Sequence, residues 1–220
     1  MGTTTDDDVL VLRSARISLA TQAFLGLISL VGFFGVSYDD DNVLLGLLIM
    51  DTTVQLVEFA FYAYMVRVGV LDTWYRYIDW FITTPVMLLS TIILMEHLND
   101  PTTTFGSFFA DYWRESVYVV LNNALMLAFG LASERGWIVP RSLALSIGFL
   151  PFVSAFAIVL GTFARTPSSA ALGASVFFVW SLYGVVAFWG RRNKNIGYNA
   201  LDVVSKNFYG VLVSVLILIE

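Results

Sequence analysis

Apolar runs long enough to cross a bilayer as helices follow one another along the chain, at about 15–36, 43–66, 73–96, 113–133, 140–164, 168–190 and 196–219. The polar stretches between them are short, so consecutive helices are expected to be antiparallel neighbours in one bundle. The clearest interruptions are Glu134–Pro140 and Asn99–Gly106, where polar residues, glycine and proline break the pattern. The pattern predicts an all-α fold, a seven-helix transmembrane bundle forming one domain over residues 1–220. It shows no soluble domain, internal repeat or low-complexity tract.

Polar positions inside the runs are ordered. On the second run Asp51, Gln55, Glu58 and Tyr62 recur at i, i+4, i+7 and i+11, within about 60° on one helix face. Facing lipid, two acids and an amide would be prohibitive, so this face must line the bundle interior or a wet cavity. A structural hydrogen-bond network and an ion path both satisfy that condition. On the third run Arg76, Asp79, Thr83 and Ser90 fall within roughly 60° of one another and form an inward stripe. The last run holds Lys206, one of two lysines in the chain, inside the apolar stretch Ile196–Leu218. Intramembrane lysine is costly and marks a functional-site hypothesis. Asp202 stands four residues earlier, where the two side chains share a helix face and can pair. A plain salt bridge would explain those two residues alone. Asp79 and Arg76 shift the balance towards a tuned site, because buried ion clusters rarely add net stability.

Composition narrows the class. The chain has 220 residues, 58% hydrophobic and 13% charged, with mean hydropathy +0.77, the profile of a polytopic membrane protein. A lipid bilayer is therefore the expected surrounding. With no cysteine, disulfides and thiolate metal sites are excluded, and no metal-ligand set or enzyme-like constellation is expected. A formal net charge of −5 makes nucleic acid an unexpected partner. Self-association in the membrane is compatible with the chain. Met1–Asp8 is polar and acidic, without the layout of a cleaved signal peptide, and is expected to be a frayed tail or a cap. His97, the single histidine, is expected to be a solvated residue at the interface. If all ionise, Asp51, Glu58, Asp79 and Asp202 carry −4 against +2 from Arg76 and Lys206. That net −2 is unfavourable inside a bundle, so one acid is expected to hold a proton. Glu58, with no base in sequence reach, is the candidate.

The motifs Arg76-Tyr-x-Asp79-Trp80 with Thr83-Thr84-Pro85, Asn123-Ala-Leu-Met126 with Gly130, Trp180-Ser-Leu-Tyr183 and Asp202-x-x-x-Lys206 resemble those of the microbial rhodopsins. The resemblance implies all-trans retinal bound as a Schiff base to Lys206. It implies Asp79 as primary counterion and proton acceptor, Asp202 as second counterion, and Arg76 beside them. By the same resemblance Trp80, Thr84, Trp180 and Tyr183 contact the polyene, and Met126 and Gly130 border its ring. The chain departs from the outward proton pumps at Ser90, where those carry a proton-donating carboxylate, and at Gly184, where proline is usual. The triplet Asp79, Thr83, Ser90 resembles rhodopsins of large algal viruses. The acids of the second helix and Asn207, directly after the lysine, are similar to the algal channelrhodopsins. That similarity implies an ion path of Ser18, Asp51, Gln55, Glu58 and Asn207, with Ser18, Glu58 and Asn207 as a constriction. Thr84 and Asn123 resemble an inter-helix pair of those channels.

Three outputs stay open at this point: a light-gated cation channel, a light-driven proton pump with unconventional reprotonation, and a sensory rhodopsin. The polar second helix favours movement of small cations or protons, and the channel first. Orientation is contested. The resemblance implies an extracellular N-terminus. The charge rule predicts the opposite, because Arg13, Arg16, Arg67, Arg135, Arg141, Arg191, Arg192 and Lys194 fall at the ends on that side, against Asp39–Asp41, Arg114 and Arg165 on the other.

Overall fold

Side chains at the ends of the apolar runs decide where helices start and stop. Thr5, Thr104 and Thr166 each form a capping box with the residue three positions on, Asp8, Ser107 and Ser169. Asn42 caps the second helix by accepting from the amides of Leu44 and Leu45. Gly69 and Gly136 close two C-termini at φ 70° and 68°, a conformation that glycine alone adopts without strain.

A computed structural model describes residues 5–38, 42–69, 72–138 and 140–219. Among them, seven helices have the length and apolarity to span a membrane: α1 (Asp6–Phe34), α2 (Val43–Val68), α3 (Thr73–Asn99), α4 (Phe105–Arg135), α5 (Arg141–Phe163), α6 (Pro167–Ala187) and α7 (Arg191–Ile219). The expected seven-helix bundle is the observed fold. Each helix packs on the next, α7 packs on α1 to close the ring, and α3 reaches across to α6. The ends of α1 and α7 that begin the helices, and the turns α2–α3, α4–α5 and α6–α7, define one side, called here the N-terminal side. Asp39–Asp41, part of the orientation argument, lie outside the described residues.

Two departures from the apolar pattern lie on the side away from the N-terminus. α4 begins at Phe105 rather than near 113, because the Thr104 capping box starts a helical segment ahead of the apolar run. A non-helical Tyr112 (φ −120°, ψ 23°) marks the junction. The added turns lie against the end of α3, where the Tyr112 hydroxyl donates to Glu96 at 3.4 Å. His97 is buried there, at 7% exposure, and is not the solvated interfacial residue expected. Arg165, between α5 and α6, donates to both oxygens of Glu96 at 2.6 Å. That bond raises the guanidinium above its ordinary value.

The bundle has two unlike halves. Away from the N-terminal side, α3 residues Leu88, Ile92, Ile93 and Met95 pack on Phe152, Phe156 and Phe163 of α5 and Val213 of α7. Lipid tails are as apolar as these side chains, so the gain comes from close packing rather than escape from water. Nearer the N-terminal side the interior is polar, and there the charged stripe of α3 meets α2 and α7.

Candidate functional site

Pairing begins with the geometry of α7. Over Val203–Phe208 the backbone is π-helical, within an otherwise α-helical span. Lys206 lies four residues after Asp202, yet the i, i+4 pair expected from an α-helix does not form. Lys206 Nζ instead donates to Asp79 Oδ2 at 2.6 Å and lies 4.0 Å from Glu58 Oε1. Asp202 turns to Arg76, whose Nη1 donates to its Oδ2 at 3.1 Å. Arg76 therefore compensates one acid of the pair, not both.

Asp202 is held from every side. Its Oδ2 accepts from the Tyr62 hydroxyl at 2.7 Å, and its Oδ1 accepts from Tyr183 at 2.9 Å and from the Trp80 indole at 3.3 Å. Arg76 also donates to Tyr62 at 2.8 Å, to Asn195 at 3.4 Å and to Asn199. Arg76, Asp79, Asp202 and Lys206 are each 1–2% exposed. Two compensated pairs, Lys206–Asp79 and Arg76–Asp202, account for both cations, which leaves Asp51 and Glu58 as the surplus acids. Satisfying all the lone pairs of a buried carboxylate is what makes such an arrangement tolerable.

A cavity adjoins Lys206, with about 780 Å³ of empty space when its open mouth is included. Trp80, Thr84, Met126, Gly130, Trp180, Tyr183 and Lys206 all line it. Tyr77, Gly148, Phe149, Gly184, Tyr198 and Ser205 do so as well, and most of these carry no sequence signal beyond being apolar or aromatic. Two of the glycines keep the space open. A Cβ on Gly130 would come within 2.6 Å of the Tyr77 hydroxyl, and one on Gly184 within 2.1 Å of the Phe149 ring. An elongated apolar molecule attached through an amine fits this cavity, with aromatic walls and a lysine at its polar end. Thr84 accepts a hydrogen bond from Asn123 at 2.8 Å, joining α3 to α4 beside the cavity. Thr83 donates to the Asp79 carbonyl at 3.0 Å.

The polar face of α2 lies against α1 and α7, forming a buried seam. Gln55 Oε1 accepts from Ser29 at 3.2 Å and from Asn207 at 3.5 Å, while Gln22 donates to Glu58 at 3.3 Å. Ser18 donates to the Asn199 carbonyl at 2.6 Å. Ser18, Glu58 and Asn207 therefore do not bond to one another as the expected constriction requires, because Gln22, Gln55 and Asn199 intervene. Ser90 joins Asp51 across α3 and α2, donating to Oδ1 at 2.9 Å. Gln22 Oε1, Asp51 Oδ2, Gln55 Nε2, Glu58 Oε2 and Asn207 Oδ1 are buried and make no hydrogen bond. Gln22, Ser29, Asn195 and Asn199 escaped the sequence reading. Their signal was present, since Ser18, Gln22 and Ser29 repeat the i, i+4, i+11 spacing of α2, and Asn195, Asn199 and Asp202 recur at i, i+4, i+7.

Comparison with known proteins agrees with this architecture. A green-light absorbing proteorhodopsin from Gamma-proteobacterium EBAC31A08 is 27% identical over 182 residues, covering 71% of this chain and 68% of that protein. The crystal structure of viral rhodopsin OLPVRII shares the fold with a TM-score of 0.81 at 24% identity, over 94% of this chain and 97% of that one. That of a thermophilic rhodopsin does so at 0.75 and 20% identity, over 98% and 95%. The model of a family described as bacteriorhodopsin-like protein matches residues 13–219. The chain thus belongs to the bacteriorhodopsin-like family and is a retinal photoreceptor of the membrane.

Proposed function

We propose that this protein is a light-gated cation channel, whose path is the polar seam between α1, α2 and α7. The observation that carries the reading is the set of unpartnered polar atoms along that seam, on Gln22, Asp51, Gln55, Glu58 and Asn207. Buried polar groups without partners are rare and costly, and intramembrane acids of this kind mark ion paths. Ser18 and Asn207 belong to the same seam, one bonded to α7 and the other to α2.

Bound as a Schiff base to Lys206, all-trans retinal supplies the light-absorbing polyene and the change of shape that starts the cycle. The remaining steps belong to side chains. Asp79, 2.6 Å from Nζ, stabilises the proton on Lys206 in low dielectric and is placed to accept it. Asp202, locked by Arg76, Tyr62, Tyr183 and Trp80, supplies a fixed second negative charge. Trp80, Thr84, Met126, Gly130, Trp180 and Tyr183 shape the cavity and exclude water from it. Rearrangement at Lys206 reaches the seam directly, because Glu58 stands 4.0 Å away and Asn207 is the next residue.

A proton pump is the second reading, and the Ser90–Asp51 bond favours it. Serine cannot donate a proton near neutral pH, so in the Asp79, Thr83, Ser90 triplet, which resembles those of algal-virus rhodopsins, the usual donor on α3 is missing. Asp51 moves that carboxyl to α2 and supplies the proton that returns to Lys206 under either reading. The N-terminus lies outside the cell in this proposal. Four of the eight basic residues on that side sit in ion pairs, Arg191 with Asp8 at 3.2 Å, Arg192 with Asp7 at 3.0 Å, and Lys194 and Arg141 with Glu134 at 2.6 and 3.0 Å.

Three measurements test these assignments. Photocurrents recorded against voltage should reverse with the cation gradient, and Glu58→Gln should change their size, selectivity or closing rate. Currents of one direction at every voltage, indifferent to Glu58, would sink the channel and leave the pump. Asp79→Asn should shift the visible absorption band to the red and slow loss of the Lys206 proton by about tenfold or more. An unchanged spectrum and proton loss would transfer the primary role to Asp202. An N-terminal epitope tag should be accessible to antibody on intact cells; a tag reached only after permeabilisation reverses the orientation.

A further inference from the structure

The polar seam is tightest at Gln55, whose buried side chain reaches from α2 to both α1 and α7. A Cβ on Gly210 of α7 would fall 2.0 Å from Gln55 Nε2, and one on Gly26 of α1 would lie 3.5 Å from Oε1. The carboxamide therefore occupies a notch that exists because Gly210 has no side chain. Its oxygen accepts from Ser29 of α1 at 3.2 Å and from Asn207 of α7 at 3.5 Å. Its Nε2 group makes no hydrogen bond. An apolar side chain of that size would fill the notch without burying an unpaired N–H, which carries a desolvation penalty. Packing explains the filled notch and leaves the amide unexplained.

Position along α2 gives the amide a task. Asp51 lies about one turn from Gln55 on one side and Glu58 about one turn on the other, and each acid keeps a buried oxygen without a partner. One turn beyond Gln55, away from the N-terminal side, α1 and α7 close on each other. A Cβ on Gly32 would fall 3.0 Å from Ser214 Oγ there, and the Ser214 hydroxyl donates to the Ser29 carbonyl. The face of α2 is left as the route from Glu58 to Asp51, and Gln55 stands on it.

We propose that Gln55 is the gate of the seam, a plug that parts Asp51 from Glu58 in the dark and swings aside for the cation. In the closed state two donors occupy the amide oxygen, the atom that could replace water around an ion. Asn207 follows Lys206 in the chain, so a change at Lys206 bears directly on one of those two bonds. With that bond broken, the amide leaves the notch and its oxygen is free to coordinate the passing cation. The inference rests on the seam being the cation path.

Whole-cell photocurrents scaled to pigment absorbance test size and polarity separately. Gln55→Ala empties the notch, so closing after light should slow by about tenfold, the weight of the hydrogen bonds lost from the closed state. Gln55→Met keeps the length and loses the amide, and because an apolar constriction sheds water the current should fall by a comparable factor. The absorption maximum should hold in both, since Gln55 does not line the cavity at Lys206. Gly210→Ala, whose Cβ displaces the amide, should slow closing in the unaltered protein and do little once Gln55 is alanine. Unmoved closing and current in pigments of normal colour overturn the gate, while a current that reverses with the gradient in the unaltered protein keeps the channel. A Gly210→Ala effect of equal size with and without Gln55 overturns the gate too. A current of one direction at every voltage in the unaltered protein overturns the cation path and the gate together. Should Gln55→Ala form no pigment, the current of Gln55→Met decides.

Discussion

The structure depends on one ion pair, Lys206 with Asp79, buried at 2.6 Å inside a membrane span. Neither charge is tolerable alone in hydrocarbon. Removing one partner of such a pair costs on the order of 3–5 kcal/mol, because the other is left uncompensated. The pair therefore dictates its surroundings: α3 must be central to bring Asp79 inward, and the second cation, Arg76, must find its own acid. Asp202 fills that need, and five further hydrogen-bonding residues, Tyr62, Trp80, Tyr183, Asn195 and Asn199 of α2, α3, α6 and α7, hold the Arg76–Asp202 pair in place. An amine beside a carboxylate at the end of an apolar, aromatic-walled cavity is where we propose that a light-absorbing aldehyde attaches, the amine reacting in its neutral form.

The π-helical turn of α7 links this pair to everything around it. Across it, one helix presents Asp202 to Arg76, Lys206 to Asp79 and Asn207 to Gln55. π-Turns inside α-helices are frequent at functional sites. The polar seam of α1, α2 and α7 meets the ion pair at Glu58, so a change at Lys206 has a short route to the seam.

Much of this was legible in the sequence because a membrane makes polar residues informative. Asp51, Gln55 and Glu58 announce a buried face through their spacing alone, and Arg76, Asp79 and Lys206 through their cost. What the sequence concealed is of three physical kinds. Spacing within one helix cannot show a competing partner on another, so Asp79 and Arg76 of α3 made the Asp202–Lys206 pair a false expectation. Partners from other helices cannot be counted from spacing, so Gln22 and Asn199 took contacts that Ser18, Glu58 and Asn207 were expected to share. Apolar cavity residues such as Phe149 and Gly148 look like any core position, and only packing distinguishes a cavity wall from a filled core.

Attachment at Lys206 is the claim on which the rest stands, and the chain offers a clean test because its only other lysine is Lys194. Lys194 is tied to Glu134 at 2.6 Å, away from the cavity. Borohydride reduction of the illuminated pigment, followed by peptide mass spectrometry, would fix the chromophore to its lysine. The account predicts a retinyl adduct on the peptide containing Lys206 and none on Lys194. An adduct on Lys194, or a reduced protein free of retinyl label, would contradict it.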